Sequence, residues 1–159
     1  MLMESSNKAA RALSGVVGKN NFIILMNERA QDLGMASTHF EDSTGLSPFS
    51  YSTAEDVANL SQYLFENYPL FREIIGLKEY DLYVNGMLHH KLINTNKLLG
   101  MDNIIGGKTG WTNEAKGCFM AIQENPQGGY AIHIVLGAKD RFLEMEKLIS
   151  SNHEYTNLK

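Results

Sequence analysis

The chain has 159 residues, 43% hydrophobic and 20% charged, which is typical of one globular domain and excludes disorder, collagen and coiled coil. Eighteen acidic against fourteen basic residues give a net charge of −4. That charge argues against a nucleic-acid groove, because such grooves carry a basic excess. The single cysteine, Cys118, provides neither an internal disulfide nor a zinc site. No run approaches the roughly 18 apolar residues that a membrane span needs.

The first third of the chain is predicted to be helical. Ser5 or Ser6 can cap a helix that runs through Val17, and Gly18 suits the end of that helix. Asn21 can cap a second helix, in which apolar residues recur at helical spacing. The sequence therefore predicts two consecutive helices before any strand.

A loop and a third helix follow. The stretch Thr38–Ser50 contains glycine and proline and is predicted to be a loop. Ser52–Glu55 has serine and glutamate three residues apart, which indicates a capping box before an apolar helical stripe. Pro69 either ends that helix or opens a short further one.

The second half of the chain is predicted to form strands and a final helix. The predicted strands are Tyr80–Val84, Met87–Leu92, Ile104–Thr109, Cys118–Gln123 and Tyr130–Gly137. Asn85-Gly86 is a strong signal for a type I′ hairpin turn, and Asn125–Gly129 joins the last two strands. Phe142–Ile149 has the apolar face of a C-terminal helix. Helices, then antiparallel strands, then a helix indicate an α+β architecture.

Lys108-Thr109-Gly110 is the strongest motif that could carry chemistry. It ends a predicted strand, where glycine leaves room for a ligand to approach the backbone. The lysine supplies a positive charge and the threonine a hydroxyl, which together would suit a substrate that bears a carboxylate. The alternative is an ordinary strand end followed by a turn.

Ser5-Ser6-Asn7-Lys8 is a second motif, with several interpretations. Ser5 and Asn7 form Ser-x-Asn, a hydroxyl and an amide that can face one site. Ser5 and Lys8 form Ser-x-x-Lys, in which a lysine one helical turn away could activate a serine nucleophile. The remaining alternative is simple helix capping by serine.

The other polar clusters indicate no metal or organic cofactor. His89 and His90 are adjacent on a predicted strand, so their side chains should point to opposite faces. The sequence has no Gly-x-Gly-x-x-Gly, phosphate-loop or zinc signature. We therefore expect a site without a bound metal or cofactor.

Together the two motifs resemble those of the serine-type D-alanyl-D-alanine carboxypeptidases, the low-mass penicillin-binding proteins. They occur in the same order as in that family, about a hundred residues apart. The resemblance extends over nearly the whole chain, and its other segments are Phe22–Phe40, Gly45-Leu46, Ser52–Ala58, Asn94–Leu99 and Gly107–Thr112. It implies a β-lactamase/transpeptidase-like fold.

The resemblance also implies an acyl-transfer chemistry. In such enzymes a serine of a Ser-x-x-Lys motif attacks the carbonyl between two D-alanines, and water hydrolyses the acyl-enzyme. Carried over to this sequence, Ser5 is a proton-relay hydroxyl and Asn7 an amide that holds the substrate. Lys108 supplies charge near the reacting centre.

The remaining implied roles concern substrate binding. Thr109 would bind the terminal carboxylate, and Gly110 would leave room for the substrate along the strand. The backbone N–H of Trp111 would be one oxyanion donor. Some relatives carry an arginine where this chain has Thr95, so Thr109 with Lys108 would carry more of the carboxylate recognition.

The nucleophile motif of the family is missing from its expected place. In the family it lies some tens of residues before Ser-x-Asn, and the only literal Ser-x-x-Lys here is Ser5–Lys8. The family register makes Ser5 the relay serine. We therefore expect residues 1–159 to be a single, partial carboxypeptidase domain that begins inside a larger protein and is inactive alone.

The resemblance predicts the parent protein's function and location. The parent would remove the terminal D-alanine from peptidoglycan stem peptides, react with β-lactams and be exported to the outer side of the cytoplasmic membrane. Any membrane association would come from segments outside this sequence. Two alternatives stay open: a class A-like β-lactamase, and a non-catalytic module that binds wall peptides.

Overall fold

The computed structural model describes residues 1–156, with side chains described as far as Ser151. Five helices and five strands follow one another in these residues. In chain order they are α1 Asn7–Gly15, α2 Lys19–Asp32, α3 Ala54–Asn67, α4 Pro69–Gly76, β1 Glu79–Val84, β2 Met87–Ile93, β3 Ile104–Thr112, β4 Lys116–Glu124, β5 Tyr130–Ala138 and α5 Arg141–Thr156. The predicted α+β class is confirmed.

The first helix is shorter than predicted, and the second begins earlier. Ser6, one of the two predicted caps, accepts a hydrogen bond from the backbone N–H of Ala9 at 3.3 Å. Helix α1 ends at Gly15 and does not reach Val17. Gly18 does not simply end a helix: its φ of 86° turns the chain directly into α2, for which it is the N-cap residue. The prediction that Asn21 caps α2 is therefore wrong.

The cap of α3 is Thr53 and not the predicted Ser52. The side chain of Thr53 accepts from the backbone N–H of Asp56 at 3.2 Å. Asp56 is buried, and its carboxylate accepts from Ser37 N at 2.9 Å and from Thr38 Oγ1 at 2.7 Å. The first turn of α3 thus fixes one end of the loop between α2 and α3. Pro69 takes the second of its predicted roles and opens α4.

The three-stranded sheet is the centre of the molecule, and it is covered on both faces. Its strands pair antiparallel in the order β3-β4-β5, as predicted. One face packs against α5, through a cluster of Leu98, Ile104, Phe119, Ala121, Met145 and Ile149. The opposite face packs against α3 and α4, through Phe65, Ile75, Met120 and Ile122. Burial of each large apolar side chain contributes roughly 1.5–3 kcal/mol, so these two clusters hold β3 in place.

Strand β3 runs three residues beyond its predicted end. Lys108-Thr109-Gly110 therefore lies within the strand, and the prediction that the motif ends the strand is wrong. The glycine before the motif is needed for close packing. A Cβ on Gly107 would lie 2.6 Å from the carbonyl oxygen of Met120 on β4. The absent side chain lets the two strands pair directly beside Lys108.

Strands β1 and β2 form a separate hairpin, which precedes the segment that reaches the site. Asn85 and Gly86 have φ values of 51° and 78°, the positive values that a type I′ turn requires. After β2, Asn94 donates from its side chain to Leu77 O at 2.8 Å, and its backbone N–H donates to Lys78 O at 2.9 Å. These bonds fix the position of the backbone immediately before Thr95.

Candidate active site

Residues from the two sequence motifs meet in one place. The ammonium Nζ of Lys108 donates a hydrogen bond to Ser5 Oγ, across 103 positions of sequence. It also donates to the carbonyl oxygen of Thr109 at 2.6 Å. Ser5 has a φ of 56°, a left-handed conformation that is uncommon for a residue other than glycine. Such conformations cluster at functional sites, and here it holds the serine hydroxyl against Lys108.

A second set of hydrogen bonds ties the N-terminal segment to β3. The backbone N–H of Thr95 donates to Met3 O at 3.0 Å, and Thr95 Oγ1 donates to the same oxygen at 3.2 Å. Thr95 Oγ1 also lies 2.7 Å from Thr109 Oγ1. Met3 is 4% exposed and Thr109 5% exposed. Three segments distant in sequence are thus fixed to one another directly beside Ser5.

The environment of Lys108 lowers the pKa of its ammonium group. Burial, followed by the positive charge of Arg141, lowers the pKa of Lys108 to about 8. Both causes disfavour the charged form, since burial removes water and a neighbouring cation repels the ammonium. Near neutral pH the side chain is therefore mostly protonated, yet it can lose its proton at a modest free-energy cost. A group with a pKa near the working pH is suited to general acid–base chemistry.

Arg141 belongs to the site, and the sequence interpretation missed it. It is the first residue of α5, and its Nη1 donates to the carbonyl oxygen of Gly110 at 3.1 Å. Its guanidinium carbon lies 5.0 Å from the centroid of the Phe142 ring, and its buried Nε has no hydrogen-bond partner. A cation in the first turn of a helix opposes the helix dipole. That unfavourable placement is the one local signal that could have identified it.

A cleft of about 490 Å³ lies over these residues. All the residues predicted as catalytic or substrate-binding line it, namely Ser5, Asn7, Thr95, Lys108, Thr109, Gly110 and Trp111. The structure therefore brings the whole predicted set together. The sequence interpretation missed the other residues around the cleft, which are Met1, Leu2, Ser6, Ala10, Ser43, Thr44, Gly45, Leu46 and Arg141.

The histidine pair differs from its prediction. The register of β1 and β2 shifts between Leu82 and Tyr83, with Leu82 opposite His90 and Tyr83 opposite Leu88. His89 is the extra residue of this bulge, so the two rings do not alternate. Their Nδ1 atoms lie 2.6 Å apart. Among the described residues, no group of three or more His, Cys, Asp or Glu side chains is arranged to hold a metal ion.

No helix within residues 1–156 combines the length and apolar character that crossing a membrane requires. The cleft is bounded by β3, by loops and by residues of α1 and α5. Its chemistry is that of a serine hydroxyl, an amide, two cations and several hydroxyl groups. Such a set can bind an anionic ligand and move a proton within the cleft.

The sequence matches one family over most of its length. Residues 1–140 match the profile of peptidase family S11, described as D-alanyl-D-alanine carboxypeptidase. The D-alanyl-D-alanine carboxypeptidase DacF of Bacillus subtilis (strain 168) is 32% identical over 152 residues, which are 91% of this chain and 39% of that protein. DacC of Escherichia coli (strain K12) is 35% identical over 159 residues, 94% of this chain and 38% of that protein.

Solved structures show the same relationship. Penicillin-binding protein D2 from Listeria monocytogenes, in its ampicillin-bound form, superimposes with a TM-score of 0.85 at 35% identity. The match covers 94% of this chain and 63% of that one. The D-alanyl-D-alanine carboxypeptidase of Mycobacterium tuberculosis H37Rv gives 0.77 at 28% identity, covering 85% and 52%. The chain spans about two fifths of the length of DacF and of DacC.

Proposed function

We propose that the cleft of this chain binds peptidoglycan stem peptides ending in D-Ala-D-Ala and takes part in removing the last D-alanine. The premise is that the chain belongs to the D-alanyl-D-alanine carboxypeptidase family. The observation that carries the proposal is the hydrogen bond from Lys108 to Ser5 within a cleft lined by both motifs. The same cleft would bind β-lactams. The family's D-alanyl-D-alanine carboxypeptidase activity supports an exported protein that acts outside the cytoplasmic membrane.

The Ser5–Lys108 pair moves a proton in this proposal. Lys108, with a pKa of about 8, holds its proton against Ser5 Oγ, and the serine hydroxyl can pass a proton to or from a reacting group. Asn7 at the start of α1 lines the same cleft and offers its amide to the substrate backbone. The pair therefore acts as acid and base without a metal or cofactor.

The substrate carboxylate binds where the cations and hydroxyls converge. Lys108 and Arg141 make this part of the cleft positive although the whole chain carries −4. A local field of this kind attracts anionic ligands. Thr109 Oγ1 lies 2.7 Å from Thr95 Oγ1 and can turn its hydroxyl to the carboxylate, while Thr95 Oγ1 keeps donating to Met3 O. Arg141 thus takes over part of the carboxylate recognition that the sequence interpretation assigned to Thr109 with Lys108.

The substrate's reacting carbonyl lies along β3. Gly110 leaves the strand open at that point, because it carries no side chain to occlude the cleft. The backbone N–H of Trp111 then donates to the oxyanion that develops on the carbonyl. Loss of one such donor can lower the rate by roughly 10²–10³-fold.

Ser5 acts as a relay and not as the nucleophile. In the structure its hydroxyl pairs with Lys108 of β3, and the cap of α1 is the neighbouring Ser6. Lys8, the partner in the literal Ser-x-x-Lys, is exposed. The 159-residue chain on its own should therefore release no D-alanine and form no stable adduct with penicillin.

One assay tests the relay role. The chain is incubated with a fluorescent penicillin, denatured and weighed by intact-mass spectrometry, with a circular dichroism melt to verify folding. We expect no adduct on the chain alone. When an N-terminal segment of DacF is added, we expect that segment to be labelled. A mass increase mapped to Ser5 in the chain alone contradicts the relay role.

A second function is compatible with the same cleft. The residues proposed to bind the ligand are all present, whereas the only Ser-x-x-Lys is Ser5–Lys8. This combination favours a non-catalytic module that binds wall peptides. Binding of a D-Ala-D-Ala peptide, without acylation of any added N-terminal segment, would support the binding module over the carboxypeptidase.

A further inference from the structure

The cleft has two walls of different construction. One is strand β3, whose position is fixed by its pairing with β4. The other is the segment 43–46, which lines the cleft without belonging to a helix or strand. A wall without backbone pairing needs another source of rigidity if it is to help bind a ligand.

One carboxylate supplies that rigidity. Asp42 Oδ1 accepts from Thr44 N at 2.5 Å, from Gly45 N at 2.5 Å and from Thr44 Oγ1 at 3.0 Å. Its second oxygen, Oδ2, accepts from Ser47 N at 2.5 Å. Four donors of the loop therefore converge on a single side chain, which fixes the backbone on both sides of Leu46.

The carboxylate is held in its charged form. Burial by itself would raise the pKa of Asp42, but the hydrogen bonds from Thr44, Ser47 and Gly45 outweigh burial and lower the pKa below the usual aspartate value. Hydrogen bonds to an ionised acceptor are roughly twice as strong as those between neutral groups. The loop is thus organised by charge-assisted bonds, which a neutral or apolar side chain cannot replace.

A further contact joins the segment 43–46 to helix α1. Ser43 Oγ donates to Ser14 Oγ at 3.2 Å, and Ser14 is 1% exposed within α1. Ser14 in turn donates to Arg11 O at 3.0 Å. Because α1 begins at Asn7, the wall and the start of the Ser-x-Asn helix are held in one arrangement.

We propose that Asp42 is a positioning residue of the cleft, holding the segment 43–46 as the wall that binds the part of a stem peptide away from β3. The inference rests on the proposed function of the cleft. Asp42 is not among the residues that line the cleft, so it acts through Thr44, Gly45 and Leu46. A peptide long enough to reach both walls depends on Asp42, whereas a small ligand bound only along β3 does not.

The single tryptophan of the chain provides the readout. Trp111 lines the cleft and is 53% exposed, so its fluorescence reports binding directly. The two probes are a diacylated lysyl-D-Ala-D-Ala tripeptide and the small ligand N-acetyl-D-alanine. The variants are Asp42→Ala and Asp42→Asn. Glu41→Gln is the matched control, since Glu41 is exposed and its carboxylate contacts His39.

The expected results separate positioning from general stability. Asp42→Ala should weaken the affinity for the tripeptide at least tenfold. It should change the affinity for N-acetyl-D-alanine by less than twofold. Asp42→Asn should be intermediate, because its amide keeps one acceptor oxygen but presents N–H to the N–H of Ser47. Glu41→Gln should change neither affinity. Equal tripeptide affinity in Asp42→Ala, or equal loss of both ligands, overturns the inference while leaving the proposed function standing.

A ligand-free measurement keeps the inference testable by itself. If the unsubstituted chain binds no tripeptide, the proposed function of this chain is contradicted. Amide hydrogen exchange then tests the wall, through Thr44, Gly45 and Ser47. These amides should lose protection in Asp42→Ala while the amides of β3 keep theirs. Unchanged protection at the three amides overturns the role of Asp42.

Discussion

The three-stranded sheet and the β1–β2 hairpin have the same antiparallel backbone pairing but opposite surroundings. In the sheet, Phe119 is 1% exposed and Ile122 is 0% exposed. In the hairpin, Tyr83 is 59% exposed and Met87 72% exposed. Backbone pairing is satisfied in both, so it does not distinguish them. Side-chain burial does distinguish them: the sheet that carries Lys108 is packed on both faces, whereas the hairpin residues are largely exposed.

The comparison predicts first that aromatic truncation is costly in the sheet and cheap in the hairpin. Phe119→Ala removes a buried ring that packs 5.5 Å from Phe142, and should lower the free energy of unfolding by about 3–5 kcal/mol. Tyr83→Ala should change it by less than about 0.5 kcal/mol. Urea unfolding followed by circular dichroism measures both. Similar losses in the two variants would show that the hairpin has a packed partner.

Glycine substitution sharpens the contrast, because the two regions need glycine for different reasons. Gly107→Asn places a side chain against Met120 O and the Phe119 ring, and should cost about 1–3 kcal/mol of unfolding free energy. A Cβ at Gly86 would meet no atom within 4 Å, and asparagine tolerates the positive φ of 78°, so Gly86→Asn should be tolerated. Thermal melts should show a large decrease only for Gly107→Asn. Equal decreases would contradict the close approach of β3 and β4.

Protonation at the centre of the site gives the next effect. Because the pKa of Lys108 is lowered to about 8, the folded chain loses this proton at a pH where the unfolded chain still holds it. Stability therefore rises as pH increases from about 7 to 9, by on the order of 1 kcal/mol. Lys108→Met should abolish this rise in urea unfolding at the two pH values. The exposed Lys139→Met is the control and should retain it.

The smallest effect is expected on the hairpin surface. Lys91 lies 2.9 Å from Glu79 and 3.8 Å from Asp81, and these carboxylates raise the pKa of Lys91. All three side chains are exposed, so water and salt weaken their attraction. Lys91→Met should leave the melting temperature within replicate scatter at 0.15 M salt. A clear decrease would mean that the hairpin depends on its charges more than the exposed geometry implies.

Local patterns predicted the strands and turns that build the site. Strand-forming runs joined by turn residues predicted β4 and β5 within a few residues, and Asn85-Gly86 predicted the hairpin turn. These features depend on neighbours in sequence, which is why a single chain reveals them. The family resemblance likewise predicted seven of the residues that line the cleft, namely Ser5, Asn7, Thr95, Lys108, Thr109, Gly110 and Trp111.

The errors and omissions occur where distant contacts decide. Thr53 and not Ser52 caps α3, since Ser52 Oγ lies 2.7 Å from Thr38 Oγ1 across the loop. Asp42 was not identified from the sequence, because its four donors converge through a loop fold that no periodicity describes. Arg141 gave no signal beyond its unfavourable helix position.

The sequence by itself determined the α+β order of elements and the motif residues that line the cleft, because hydrophobic periodicity, turn residues and motifs are local properties. Only the tertiary structure decided that Lys108 meets Ser5, and that burial together with Arg141 lowers the pKa of Lys108 to about 8. Burial and charge proximity are properties of three-dimensional distance. They appear only after β3, α5 and the N-terminal segment pack around one cleft.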